Sequence, residues 1–434
     1  MFAVILALPL IVLSGHLFPS FLFLKRVYQK EGQFLHYAPF KERCFMTRSS
    51  IEAEKEQPLH LAPDILILHL IATGVIRLSV QITKGKTIDS DYPIPLQRGL
   101  DRLNVIRYRH NLPLVQSIPD LLLWCQRPLN EWPLDFQAAQ LDPDDTLLAG
   151  QFTTDVCQTL ARATNDVEAD IIEQHFMNGV FEVCRGANSP QAYVDFRRML
   201  IERPALTELE LLQWRSQYPS LDILKEHINE AYEHAPLHYM VKGYFSCCPL
   251  CGNLRQPTMT QDRFFCEDER CRRVIETKQV LQNERRLSAR EHVYWLKWGL
   301  RRFITMPGRA EIRLEQRLRE KGLKVEMWPE FDRYDLRVVF PDGEAWLVDV
   351  KDWANAYLLG CHVRGISSSL EWKRAYYVFP KERKDECSDY VTTFINTCKS
   401  DKGHVQITGR VRAAFEGDFL RDVSRRLQGG RDAR

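Results

Sequence analysis

The sequence has almost no excess charge of either sign, no internal repeat, no low-complexity segment and no dense cysteine framework. Fifty-nine Lys and Arg against fifty-seven Asp and Glu leave a net charge of +2, so any nucleic-acid surface has to come from local clustering. Twelve cysteines in 434 residues are too dilute for a secreted disulfide scaffold. Only 21 glycines and 22 prolines exclude a collagen-like or flexible low-complexity chain, while 45% apolar and 27% charged residues suffice for packed cores. A chain of this length is expected to hold two to four domains.

Long apolar runs are also scarce, with one exception. From Phe2 to Leu24 the only ionisable side chain is His16, and Lys25 and Arg26 follow, a length that spans a bilayer. Pro9, Gly15, His16 and Pro19 interrupt the run, no basic segment precedes it and no small-residue cleavage pattern follows it, which speaks against the membrane. Three readings of residues 1–45 stay open: an anchor, a buried segment, or a start assigned too far upstream, with Met46 the true one.

Residues 46–150 show apolar positions at helical spacing, as in Ile65, Leu68, His69 and Ile71, and Ile118-Pro119-Asp120 opens a helix through Trp124. This predicts a mostly helical domain. The acid-rich Leu141–Asp145 marks a turn, and residues 151–240 predict a second helical domain, including a helix near Pro204–Trp214 with Thr207 as its cap. Neither carries a chemical motif.

Cys248-Pro249-Leu250-Cys251-Gly252 has the spacing of a metal knuckle: two thiolates three residues apart reach one ion, and the glycine permits the tight turn. Fourteen residues later, Cys266 and Cys271 supply two more. Four thiolates select zinc over an oxygen-seeking cation, so residues 241–280 predict a zinc ribbon in a reducing compartment, the cytoplasm. A register through Cys247 and Cys251 is the alternative. Such a closed site serves structure or contact; it can hold nucleic acid, hold a partner or staple the chain.

Residues 281–306 predict a basic helical connector. From Arg272 to Phe303, nine Lys and Arg face three Glu, with Tyr294, Trp295 and Trp298 among them. That pattern suits a phosphate backbone, or equally an amphipathic helix with its aromatics inward.

Residues 307–434 hold the chemistry. Pro307–Lys321 predicts a helix stopped by Gly322, Lys324–Trp328 a short strand, and Tyr334–Lys351 a hairpin turning at Pro341-Asp342-Gly343. If Phe340 and Glu344 flank the loop, facing positions sum to 684, and Asp335 lies opposite Asp349 with Cβ atoms about 5 Å apart. Lys351 shares that face, while Leu336, Val338, Phe340, Trp346, Val348 and Val350 make the other face apolar. Two carboxylates this close call for a cation or a shared proton, and hard oxygens suit magnesium. Strands at Ala375–Phe379 and Val405–Thr408 flank a helix near Asp385–Cys398. Glu311, near the start of the first helix, is the third candidate acid, with Glu315 competing. Ordinary roles stand beside these: Asp335 as a partner of Arg333 or Arg337, Asp349 and Lys351 as an ion pair, Glu311 as a dipole-favoured helix residue.

A helix bearing Glu311, a hairpin bearing Asp335, then Asp349-Val350-Lys351 resembles the PD-(D/E)XK, or restriction-endonuclease-like, superfamily. Tyr334 replaces its usual proline, and an aspartate stands where glutamate is commoner. The likeness extends to the nuclease accompanying bacterial pPIWI-RE proteins and a DinG-type helicase. It is carried by Phe196–Pro204, the cysteine module, Pro307–Glu311 and Val348–Trp353, and covers roughly residues 59–423. The resemblance implies catalytic roles for Glu311, Asp335, Asp349 and Lys351, and action against invading DNA. We therefore expect an α/β restriction-endonuclease-like domain behind helical modules and a zinc ribbon. It would act as a Mg2+- or Mn2+-dependent DNA endonuclease, with Asp335 and Asp349 holding the metal; the alternative is a nuclease fold that binds nucleic acid or a partner without cutting.

Overall fold

The computed structural model describes residues 63–429 apart from 84–91, 163–166, 259–262, 279–283 and positions 401, 402, 404, 406 and 408. The apolar leader, residues 1–45, and the candidate start Met46 lie outside the described residues.

Helix α1 (Pro63–Thr83) is apolar almost all round, so it has to be covered on every side. By length and composition its Asp64–Ile82 span could cross a membrane, yet 61% of that span is buried, and Leu68, Ile71, Ala72 and Leu78 are fully enclosed. Helix α2 (Ile94–Arg109) lies against it so closely that a Cβ on Gly74 would sit 2.5 Å from the Leu96 backbone. Ser117 caps α3 (Ile118–Trp124) by accepting the Asp120 amide, and α4 (Asp155–Arg162) packs on α1.

Helices α5 (Val167–Gly186) and α6 (Pro190–Glu202) form a second helical layer. A short strand, β1 (Ala205–Thr207), precedes α7 (Glu208–Gln217), where Thr207 and Glu210 complete a capping box; α8 (Lys225–Ala231) follows.

The middle of the chain is built from small sheets. These comprise β2 (Tyr232–His234), β3 (Met240–Val241), β4 (Tyr244–Ser246), β5 (Gln256–Pro257), β6 (Phe264–Phe265), then, after α9 (Glu269–Lys278), β7 (Arg286–Ser288) and β8 (Val293–Leu296). Their orders are β1-β8-β2, β3-β4-β7 and β5-β6.

The expected helical connector at 281–306 instead opens with the strands β7 and β8 and becomes helical only from Trp298 onward. Val293-Tyr294-Trp295-Leu296 is a β-prone run, and pairing with both β1 and β2 satisfies its backbone while burying Val293, Trp295 and Leu296. Two of its cations are engaged within the protein. Arg285 bonds to Glu210 and the Ala205 carbonyl, and Arg301, 2% exposed, lies 3.7 Å over the Trp295 ring and pairs with Glu267. A five-residue π-helical turn, Arg301–Thr305, then leads into the C-terminal part.

That part follows the predicted order. Helix α10 (Met306–Glu320) ends before Gly322, which takes φ +80°. Then come β9 (Lys324–Met327), β10 (Leu336–Val339), β11 (Ala345–Val350), α11 (Ala356–His362), β12 (Arg374–Phe379), α12 (Lys381–Glu386), α13 (Tyr390–Lys399), β13 (Val411–Phe415) and α14 (Glu416–Gly429). The sheet order is β9-β10-β11-β12-β13, antiparallel across the first three strands and parallel thereafter. The last strand lies a few residues beyond the expected 405–408, of which 406 and 408 are outside the described residues.

Leu336 pairs with Val348 and Val338 with Trp346, the register that the turn dictates. Gly343 sits at φ +87° in the turn, and Phe340 donates to the Glu344 carbonyl at 2.8 Å. The expected apolar face is buried in one core with Leu314 and Leu318 of α10 and Phe419 and Val423 of α14. On the other face Leu347, Tyr377 and Phe379 pack with Leu359, Tyr390 and Phe394.

Candidate active site and cysteine cluster

The cysteine cluster is assembled locally. Gly252, at φ +74°, turns the chain so that its amide reaches the Cys248 carbonyl at 2.9 Å, while Asp268 donates its backbone N–H to Cys266 Sγ at 3.4 Å. The sulfurs of Cys248, Cys251, Cys266 and Cys271 are buried and all lie within 4.8 Å of one another. Tetrahedral Zn–S bonds of about 2.3 Å need S···S separations near 3.8 Å, so this cluster fits a structural zinc ion and could bind one. Cys247 takes no part; it packs with Phe245, Leu254 and Trp295 in a neighbouring apolar cluster.

The acids meet in a cleft of about 760 Å³, lined by Glu311, Asp335, Asp349 and Lys351 together with Arg197 and Asp332. Glu311 comes from the second turn of α10, Asp335 from the residue before β10, Asp349 from the end of β11 and Lys351 from the residue just after it. The ladder departs from the expected register at its last step. Asp335 is not paired across to Asp349: its amide donates to the Val348 carbonyl at 3.1 Å, and its carboxylate accepts the Val350 amide at 2.6 Å. The side chain thus replaces a backbone acceptor where the strands part.

Burial, and then the charges of Glu311 and Asp349, push the Asp335 carboxyl well above its ordinary range. Lys351 bonds to Asp349 at 2.6 Å; although burial opposes its charge, Asp349 and Asp335 hold it above the usual lysine range. The ordinary ion-pair geometry of Asp349 and Lys351 is thus present inside the cleft. Arg337 pairs instead with Glu326, and Arg333 with Glu330, so neither neutralises Asp335. Glu315, the competitor of Glu311, is engaged by Arg198 and Arg319 and does not line the cleft.

Two cleft residues escape sequence reasoning. Arg197 of α6 is buried, grips both oxygens of Glu311 at 3.1 Å and also bonds to Asp332. Its signal in the sequence is a charged pair, Arg197-Arg198, set among residues that must be buried, Phe196, Met199 and Leu200; a buried guanidinium demands acids. Asp332 closes a run in which Trp328, Glu330, Phe331 and Asp332 all have φ between 46° and 65°, a conformation costly for side-chain-bearing residues. Burial raises its carboxyl to about 6 against the pull of Arg197, and its Oδ1 has no hydrogen-bond partner. Nothing in a loop sequence announces that placement.

The two sites touch. Arg270, between Cys266 and Cys271, pairs with Asp352 at 2.8 Å, and Arg383 of α12 bonds to the same carboxylate at 2.9 Å. Burial alone would raise Asp352, yet the two guanidiniums hold it well below the usual carboxylate range. The residue following Lys351 is therefore held from the cysteine module. Asn355 extends the anchorage by bonding to the Ala139 and Gln140 carbonyls.

A mixed sheet with a leading helix, and with acids and a lysine where its central strands part, is the arrangement of a restriction-endonuclease-like domain. Residues 308–431 match the family described as REase associating with pPIWI_RE, and residues 67–207 match pPIWI_RE three-gene island domain Y. The chain resembles the nuclease associated with pPIWI-RE proteins. No curated protein and no solved structure matches it.

Proposed function

We propose that the chain is a metal-dependent DNA endonuclease that hydrolyses phosphodiester bonds. The observation that carries this reading is the convergence of three acids and a lysine in one cleft, where burial and then the charges of Glu311 and Asp349 raise the Asp335 carboxyl above its ordinary range. Hard carboxylate oxygens suit Mg2+ or Mn2+. The acids now stand apart, each engaged by a protein donor, so Asp335 and Asp349 would turn to hold the ion and Glu311 would assist on release from Arg197. When bound, the metal supplies charge to the phosphate and acidity to water. Lys351 orients the attacking water and offsets charge developing on the phosphate oxygens. Asp332 takes up a proton near neutrality.

The cysteine module takes a structural Zn2+, and the chain acts in the cytoplasm in prokaryotic defence against invading DNA. A pPIWI-like protein is its partner, a reading supported by the two family matches, and a DinG-type helicase is a further one. The test is cleavage of plasmid and oligonucleotide DNA with Mg2+ or Mn2+. Asp349→Asn and Lys351→Ala are each expected to slow cleavage by roughly 100-fold or more. Full cleavage by both variants would remove the chemistry from this cleft.

A further inference from the structure

Building on the nuclease reading, we infer that the substrate reaches the acids as an unpaired DNA strand, not as an intact duplex. The acids form a sunken floor: Glu311 is 3% and Asp335 7% exposed. Walls rise around them from different parts of the chain, α5 contributing Phe181, the π-helical turn Phe303, and the segment after β11 Trp353. At about 760 Å³ the cleft lies in the range of roughly 300–1,000 Å³ that engulfs a small-molecule-sized ligand. A nucleotide or two fits such a space. A duplex carries its second strand and paired bases along with every phosphate, and these would meet the walls before the phosphate reached the floor.

The wall chemistry agrees. Phe181, Phe303 and Trp353 are half-buried aromatics, and every base has a face that stacks on such rings. Phe181 is braced by Tyr193 at 4.7 Å between ring centroids, and Trp353 stacks with His362 at 5.9 Å, so both rings are already fixed in place. Arg364 is exposed at the cleft and supplies a cation for the sugar-phosphate chain, beside Arg333, which is exposed but paired with Glu330.

The experiment measures binding of the full chain to a fluorescein-labelled oligonucleotide, single-stranded or annealed to its complement, with Ca2+ replacing Mg2+. Cleavage of the same two DNAs is then followed with Mg2+. Single strands are expected to bind at least 10-fold more tightly and to be cut faster. Trp353→Ala and Phe181→Ala should each weaken single-strand binding roughly 5- to 150-fold, with Trp353→Phe restoring most of the loss. Equal binding of duplex, binding of neither DNA, or alanine variants that bind as wild type would overturn the inference. Because binding is read without cutting, strand preference without cleavage would instead count against the nuclease reading, and equal cutting of duplex would leave that reading standing.

Discussion

The cysteine cluster and the acid cleft are both sets of metal-ligand residue types, but they are built in opposite ways. The four sulfurs come from 24 consecutive residues and converge within 4.8 Å through two local turns. The cleft draws Arg197, Glu311, Asp332, Asp335, Asp349 and Lys351 from two helices, a strained loop and two strands. In the first, thiols gather in a ready-made cage. In the second, each carboxylate is turned to a protein partner and Asp335 is energetically uncomfortable. The difference is that between a site that supports the fold and one that the fold has to support.

That contrast predicts opposite responses to mutation. Cys251→Ser should cost the most, roughly 5 kcal/mol or more of stability together with bound zinc, because metal binding and folding of such a module are one process. Metal analysis beside a denaturation curve checks this; a variant that keeps its Tm without zinc would erase the distinction. Arg197→Ala should follow at about 3–5 kcal/mol, since it leaves Glu311 and Asp332 buried without their counter-charge.

Asp335→Asn should do the reverse, abolishing most cleavage, about 100-fold or more, while leaving Tm unchanged or higher. The sign follows from linkage: the folded pKa is raised, so the ionised group costs stability above its unfolded value near 3.9 and costs nothing below it. The gain in Tm should therefore be present at pH 8 and vanish below about pH 4 in paired melts.

Arg270→Ala tests where the two regions join. We expect a loss of about 1–3 kcal/mol, smaller because Arg383 still holds Asp352. Asp352 is lowered in the fold, so its contribution is present above about pH 4 and lost as pH falls further, and the variant should flatten that part of the stability profile. Slower cleavage with full zinc occupancy would tie the cysteine module to the placement of Lys351. Unchanged cleavage would separate them.

Some of this was legible in residue order. The hairpin register followed from Pro341-Asp342-Gly343 and the alternation on either side, because a turn of fixed length and a period of two leave one way to bury Trp346 and Val348. The cysteine spacing announced its cluster, since the ligands are neighbours in the chain. The connector at 281–306 was legible only at its helical end, Trp298–Thr305: Val293–Leu296 becomes a central strand only when β1 and β2, some 60 to 90 residues upstream, lie beside it.

By itself, then, the sequence determined the local turns, the alternating faces and the cysteine cage, all set by contacts between residues close in the chain. Only the tertiary structure decided that Asp335 turns its carboxylate to Val350, that Arg197 reaches Glu311 across 114 residues, and that Arg270 grips Asp352 across 82. Buried charges take whichever partner the packing brings near, and no periodicity in a sequence encodes that choice.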